Sequence, residues 1–254
     1  MVSFERTTVN KNTIKSNLQA WNSDYTWAKD GDEWDGQAKK CNKPYEDWKR
    51  SLVEEFIQPN VDRSSMVLEI GPGHGRWSKE IAPLCGHLIL VDLSPSCIEH
   101  CRSLFKERSN VTFVVNQGKE LTGIPDGSVD FVWSYDVFVH INPNEIEAYF
   151  GEIKRVLRPN GRAVIHHAGR RHLFLPLRFL RESPTIGSRL YNFITTNVFA
   201  EDNGWRSDVS RALVRKLARR HGLIVEEQLN RWGKNRDFGV PRFRDAISIL
   251  CRPG

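Results

Sequence analysis

The sequence has no apolar run long enough to span a bilayer, and its first fifteen residues are polar, without the apolar stretch of a secretory leader. A cytoplasmic protein is the expectation. Cysteine is scarce and poorly placed for cross-linking. Cys41, Cys85, Cys97, Cys101 and Cys251 are odd in number and include no CxxC pair, which argues against a disulfide framework or a structural zinc site. Cys97 and Cys101 stand four apart, a spacing that shares a helix face and suits packing better than metal binding. No internal repeat or low-complexity tract is visible. Acidic residues are sparse in one region. From Arg158 to Arg244 there are 16 Arg and 2 Lys against 7 Asp and Glu, a local net of +11 in a chain of +6, so the remainder is net acidic. Such a basic half suits an anionic acceptor, a membrane surface or nucleic acid; it is equally compatible with a solvated face.

With 254 residues the chain has room for one α/β domain with additions. Its most informative stretch runs from Val67 to Trp77 (VLEIGPGHGRW), followed by Leu88 to Asp92 (LILVD). An apolar run ends in glycines, a helical stretch follows, and a second apolar run closes on an acid. That is the layout of strand, tight loop, helix and strand. Asp92 lies 21 positions after Gly71, the reach needed to meet a ribose whose other end rests on the glycines. A dinucleotide loop wants G-x-G-x-x-G, but Arg76 occupies the place of its third glycine. Gly71, Gly73 and Gly75, with Glu69 two residues ahead, instead suit a ligand without phosphates whose amino-acid tail lies along bare backbone.

This run resembles motif I of the class I S-adenosylmethionine-dependent methyltransferases, and Asp92, with Leu93 beside it, falls where that family's ribose-binding acid sits. The resemblance covers roughly residues 60–252. It implies a doubly wound, seven-stranded, mostly parallel sheet with S-adenosylmethionine as cofactor. Periodicity agrees: strands are predicted over 66–70, 87–92, 111–115, 129–135, 162–168, 223–229 and 245–251. Helices are predicted over 44–56, 75–84, 95–107, 143–157 and 207–221, the last with Ser207 as cap and Gly222 beyond its end. Pro159-Asn160-Gly161 is read as a helix stop that turns into a strand. Alternation of this kind gives a parallel sheet with helices on both faces.

Two regions fall outside the shared core. Residues 1–45 are polar yet carry Trp21, Tyr25, Trp27, Trp34 and Tyr45, too many aromatics for a disordered tail. This segment is read as a lid, or as an extension packed outside the sheet. Residues 46–254 form the cofactor-binding domain, with 169–206 as a substrate-binding insertion. Within the insertion, Arg170 to Arg181 (RRHLFLPLRFLR) mixes basic and large apolar residues as interfacial segments do, which marks it for peripheral membrane contact or for an ordinary lid helix.

The resemblance also places cofactor contacts at Gln117 and Gly118, where the family commonly carries an acid for the adenine amino group, and at Ser134 and Tyr135 on the fourth strand's tip. For the chemistry, a hydroxyl acceptor needs a base near neutrality, so histidine is the first residue type to consider. His140 follows the fourth strand. His166 and His167 close the fifth, and only one of them can face a pocket; His167, nearer the strand end, is the choice made here. Asp136 is a candidate to orient a histidine. Asp136, His140 and His167 match no metal motif, so no metal is expected.

The leading expectation is O-methylation of a sugar or other hydroxylated small molecule, of the anionic or lipid-linked kind, with resemblance to bacterial glycan-modifying methyltransferases. Four alternatives stay open: an N-methyltransferase, a nucleic-acid methyltransferase, a nicotinamide oxidoreductase, and a non-catalytic cofactor-binding module. The fourth strand's tip has no Asn/Asp-Pro-Pro-Tyr/Phe motif, which argues against nucleic acid.

Overall fold

The computed structural model describes residues 12–27, 36–169, 186–196 and 206–254. Seven strands form one sheet: β1 (Met66–Ile70), β2 (His87–Asp92), β3 (Val111–Val115), β4 (Val129–Phe138), β5 (Leu157–His167), β6 (Ile224–Leu229) and, after a short hairpin, β9 (Ala246–Cys251). The hairpin, β7 (Arg231–Trp232) with β8 (Phe238–Gly239), pairs outside the main sheet and had no counterpart in the sequence reading. The sheet order is β3-β2-β1-β4-β5-β9-β6, parallel from β3 through β5, with β9 antiparallel to both of its neighbours. Sheet order thus reverses beside β1, the switch point where ligands of such sheets bind.

Strict alternation along the strands decides what each face buries. Leu68 and Ile70 of β1 pack toward α6 (Pro143–Val156) and α8 (Arg211–Arg220). Val67 packs to the opposite face, against α3 (Tyr45–Leu52), α4 (Ser78–Ile81) and α5 (Pro95–Leu104). β5 obeys the same parity: Ala163 and Ile165 belong to the first core, Val164 to the second. His166 therefore shares the face of Val164 and His167 that of Ile165. This parity later decides which histidine nears the site.

Local chemistry accounts for the boundaries. Ser94 caps α5 by accepting from the Cys97 N–H at 3.2 Å, with Pro95 at the first helical position. α8 starts four residues later than expected, because Ser210, not Ser207, supplies the capping oxygen, accepting from the Leu213 N–H at 3.2 Å. The helix expected over 75–84 is helical only at Ser78–Ile81 and is otherwise built of turns. Pro159-Asn160-Gly161 does not stop α6, which ends at Val156. These residues lie inside β5, with Asn160 taking a left-handed φ of 64°.

Residues 12–24 pack on this domain. α1 (Ile14–Gln19), capped by Thr13, continues through a π-helical turn to Asp24. Asn17 donates to the His140 carbonyl at 2.9 Å, and Asn22 accepts from the Ser96 N–H and the Ser94 hydroxyl at 3.1 Å each. Further on come α2 (Gly36–Lys40) and, beyond the sheet's fifth strand, α7 (Ile186–Thr196). The basic segment 170–181 lies outside the described residues.

Candidate active site

A pocket with about 890 Å³ of unfilled space, its opening to solvent included, lies at the carboxyl ends of β1, β2 and β4 beneath α1. Of the residues expected to meet a cofactor, Gly71, Gly73, Asp92, Leu93, Gly118 and Tyr135 line it, and so do Asp136 and His140 from the expected catalytic set.

The glycine loop is shaped by backbone that only glycine tolerates well. Gly71, Gly73 and Gly75 have φ of 73°, 55° and 84°. A Cβ on Gly71 would overlap the Val137 side chain, and one on Gly73 would sit 2.6 Å from the Trp27 ring. Asp92 closes the loop from below. Its carboxylate accepts from the Gly73 N–H at 3.2 Å and the Ser94 N–H at 2.8 Å. Burial pushes this carboxyl up to about 6 against those donors. Over the loop, Trp27 stacks on His74 at 4.4 Å and His74 on His100 at 3.8 Å. Burial, with His100 adding to it, holds His74 down to about 4, so the His74 ring is uncharged at neutral pH.

Five expected contacts are not brought to the pocket. Glu69 shares the parity of Val67, so it points under the loop and accepts from the Ser78 hydroxyl at 2.6 Å; burial pushes it up to about 8. Gly75 lies against Leu104. Gln117 is exposed, while its neighbour Asn116 is buried, donating to the Tyr149 hydroxyl at 2.8 Å and accepting from the Gly118 N–H. Ser134 donates to the Ile70 carbonyl at 2.8 Å, tying β4 to β1. His167 is fully buried on the α6–α8 face, between Ser248 Oγ and the Ala168 carbonyl at 2.7 Å each, and burial takes it down to about 4. Strand parity, not nearness to the strand end, sets its direction.

Of the two adjacent histidines, His166 is the one that contacts residues lining the pocket. Its ring stacks on Tyr135 at 4.2 Å and lies between Asp136 (3.3 Å) and Asp245 (3.5 Å). Asp136, in the left-handed region at φ 61°, also pairs with Arg76 at 3.0 Å, and Arg206 stands 4.0 Å from it. Arg206 grips Asp245 at 2.8 Å, and Gln37 donates to the same carboxylate at 3.3 Å. Burial alone would raise Asp136, yet His166, Arg76 and Arg206 together hold it well below the usual carboxylate range. Burial likewise opposes charge on His166, but Asp136 and Asp245 raise its pKa. The result is a buried polar network, Arg76–Asp136–His166–Asp245–Arg206, behind the pocket wall. Sequence reading missed all but Asp136. Arg76 was visible beside the glycine loop, but residues 166, 206 and 245 share no local pattern.

Four buried oxygens on pocket-lining residues have no hydrogen-bond partner among the described residues: Asn12 Oδ1, Asn17 Oδ1, Glu145 Oε2 and the Tyr135 hydroxyl. Such atoms call for a ligand rich in donors. A glycine cradle with no room for Cβ, a carboxylate at the second strand's tip and unspent acceptors fit an amino-acid nucleoside. Among the described residues no group of three or more His, Cys, Asp or Glu gathers as metal ligands would, and no helix is long and apolar enough to cross a membrane.

Sheet order, loop and acid have the arrangement of a class I S-adenosylmethionine-dependent methyltransferase domain. Comparison with known proteins agrees: residues 67–161 match the family model described as a methyltransferase domain. Phosphoethanolamine N-methyltransferase 1 of Triticum aestivum is 34% identical over 105 residues, covering 40% of this chain and 21% of that protein. Demethylmenaquinone methyltransferase of Tropheryma whipplei is 27% identical over 118 residues, 46% of each. This chain thus spans less than half the length of either. Among solved structures, N-methyltransferase NodS from Bradyrhizobium japonicum, in complex with S-adenosyl-L-homocysteine, has the same fold, with a TM-score of 0.57 at 14% identity over 95% of this chain and 99% of that one.

Proposed function

We propose that the chain is an enzyme that methylates a hydroxyl of a small polar acceptor, a sugar being the leading case, with His140 as the general base. The observation that carries this reading is the position of His140. It lines the pocket with Tyr135 and Asp136 just beyond β4, its carbonyl held by Asn17 and its ring 5.2 Å from Trp21. Bound S-adenosylmethionine supplies a methyl carbon on a cationic sulfur, already activated for displacement. The protein's task is then alignment, exclusion of water and, for a hydroxyl, removal of one proton. Asp136 is a poor base because its cationic neighbours stabilise its ionised form. Proton acceptance therefore falls to His140, while Asp136 and Arg76 orient the acceptor's polar groups. Trp21, Trp27 and α1 cover the pocket as a lid.

A second reading is N-methylation. Asp136, kept ionised beside the pocket, would hold an ammonium-bearing acceptor, and the wheat relative's name is that of an N-methyltransferase. A screen of hydroxylated and amine acceptors with methyl-labelled cofactor separates the two. Label transferred to hydroxyl compounds, with kcat reduced about a hundredfold or more in His140→Ala, is the expected outcome. Label appearing on amines alone would replace the first reading by the second.

A further inference from the structure

Cofactors of this kind carry an adenine ring, and the pocket has one end shaped for it. At the tips of β2 and β3 the lining residues are Leu93 and Gly118, with Ile14 of α1 3.1 Å from where a Gly118 Cβ would stand. α6 closes the same end. Tyr149 meets Asn116, the residue directly after β3, at 2.8 Å. Glu145 precedes Tyr149 by four positions, hence stands one turn away on the same face of α6, and also lines the pocket. Its Oε2 is buried without a partner among the described residues, as is Asn12 Oδ1 from the covering segment. Gln117, where the resemblance would place adenine recognition, is exposed and outside the lining.

Resting on S-adenosylmethionine as the cofactor, we infer that Glu145, assisted by Asn12, reads the adenine amino group, and that this chain has moved that contact from the third strand's loop to the helix after the fourth. The chemistry matches. The adenine amino group is a donor with two hydrogens, and an ionised carboxylate and an amide oxygen are acceptors. Ile14, Leu93 and Ile141 supply apolar walls for the ring. An unspent carboxylate oxygen in such a slot is a specificity device, because a ligand without the donor leaves it unpaired.

Calorimetry with two ligands tests this: S-adenosylhomocysteine and S-inosylhomocysteine, in which a carbonyl replaces the amino group. Wild-type protein is expected to prefer the adenosyl compound by about a hundredfold, the cost of setting a carbonyl against a buried carboxylate. Glu145→Ala should lower that preference to about threefold or less, chiefly by weakening the adenosyl compound. Glu145→Gln keeps the side chain's shape and can turn its amide to donate, so it should also narrow the preference, by strengthening the inosyl compound. Gln117→Ala should leave the preference intact. A preference that survives both Glu145 variants, or that collapses in Gln117→Ala, overturns the assignment. So does a wild-type protein that binds both ligands equally. Wild-type protein that binds neither ligand overturns the cofactor assignment itself, a result distinct from the others.

Discussion

The two walls of the pocket are made of different materials. At the tips of β1 and β2 the wall is backbone: two positive-φ glycines, Gly71 and Gly73, with N–H groups collected by Asp92 and no room for a Cβ on either glycine. At the tips of β4 and β5 it is side chain: Arg76 and Asp136, backed by His166, Asp245 and Arg206 in one buried network. The first wall is rigid because few residues could occupy its conformations. The second is rigid because each charge is held by the opposite charges around it. A backbone wall is insensitive to electrostatic substitutions and intolerant of volume, and a charge-built wall is the reverse.

Removing one member of the network should have the largest effect. Asp245→Ala strips Arg206 and His166 of their shared anion in a fully buried site. Loss of one partner from a buried ion pair costs about 3–5 kcal/mol, so a fall of roughly 6–20 °C in Tm is expected by calorimetry. A fall under about 2 °C would mean that the network contributes little to the fold. Gly71→Ala attacks the other wall. Strained φ and overlap with Val137 should weaken S-adenosylhomocysteine binding about a hundredfold, with a smaller loss of stability than in Asp245→Ala. If stability falls further than affinity, Gly71 matters mainly for folding.

The same contrast explains what the sequence disclosed. A backbone wall is encoded by neighbours: Gly71, Gly73, Gly75 and Asp92 lie within one strand–loop–helix–strand unit, and their spacing carries the geometry. The strands around it were legible because apolar alternation is local too. The charged wall unites residues 76, 136, 166, 206 and 245, whose meeting depends on sheet order and register, so no window of sequence contains it. His167 shows the cost of guessing at that distance. Proximity to the strand end favoured it, whereas the pairing of Ile165 with Ser248 and of His166 with Ile247 fixes the faces and turns His167 away. Gln117 lies outside the pocket lining for a related reason: Asn116, one residue earlier, takes the buried position.

Glu69 sharpens the comparison through pH. It lies beneath the backbone wall and carries an acid, buried and pushed up to about 8, whereas an unfolded chain would hold it near 4.5. The folded protein retains a proton that the unfolded chain releases, so this group's contribution is complete below about 4.5 and is lost as pH rises toward 8. Glu69→Gln keeps an oxygen for Ser78 and removes the titration. The variant should gain roughly 4 kcal/mol over wild type at pH 8 and nothing at pH 4.5, read from denaturant midpoints at both values. A gain at pH 4.5 equal to that at pH 8 would show that protonation of Glu69 is not the source.

Ser134 gives the smallest effect and separates fold from site most cleanly. It stands at the fourth strand's tip, where a cofactor contact was expected, yet its buried hydroxyl is committed to the Ile70 carbonyl at the end of β1. That bond joins the strand that opens the glycine loop to the strand that presents Tyr135 and Asp136, and so couples the two walls. Its worth as a neutral buried hydrogen bond is about 1 kcal/mol. Ser134→Ala should therefore lower unfolding free energy by about that amount and leave the Kd for S-adenosylhomocysteine within about twofold. A tenfold weaker Kd with unchanged stability would return Ser134 to the cofactor's contacts, and the bond between the walls would then count for less than its geometry suggests.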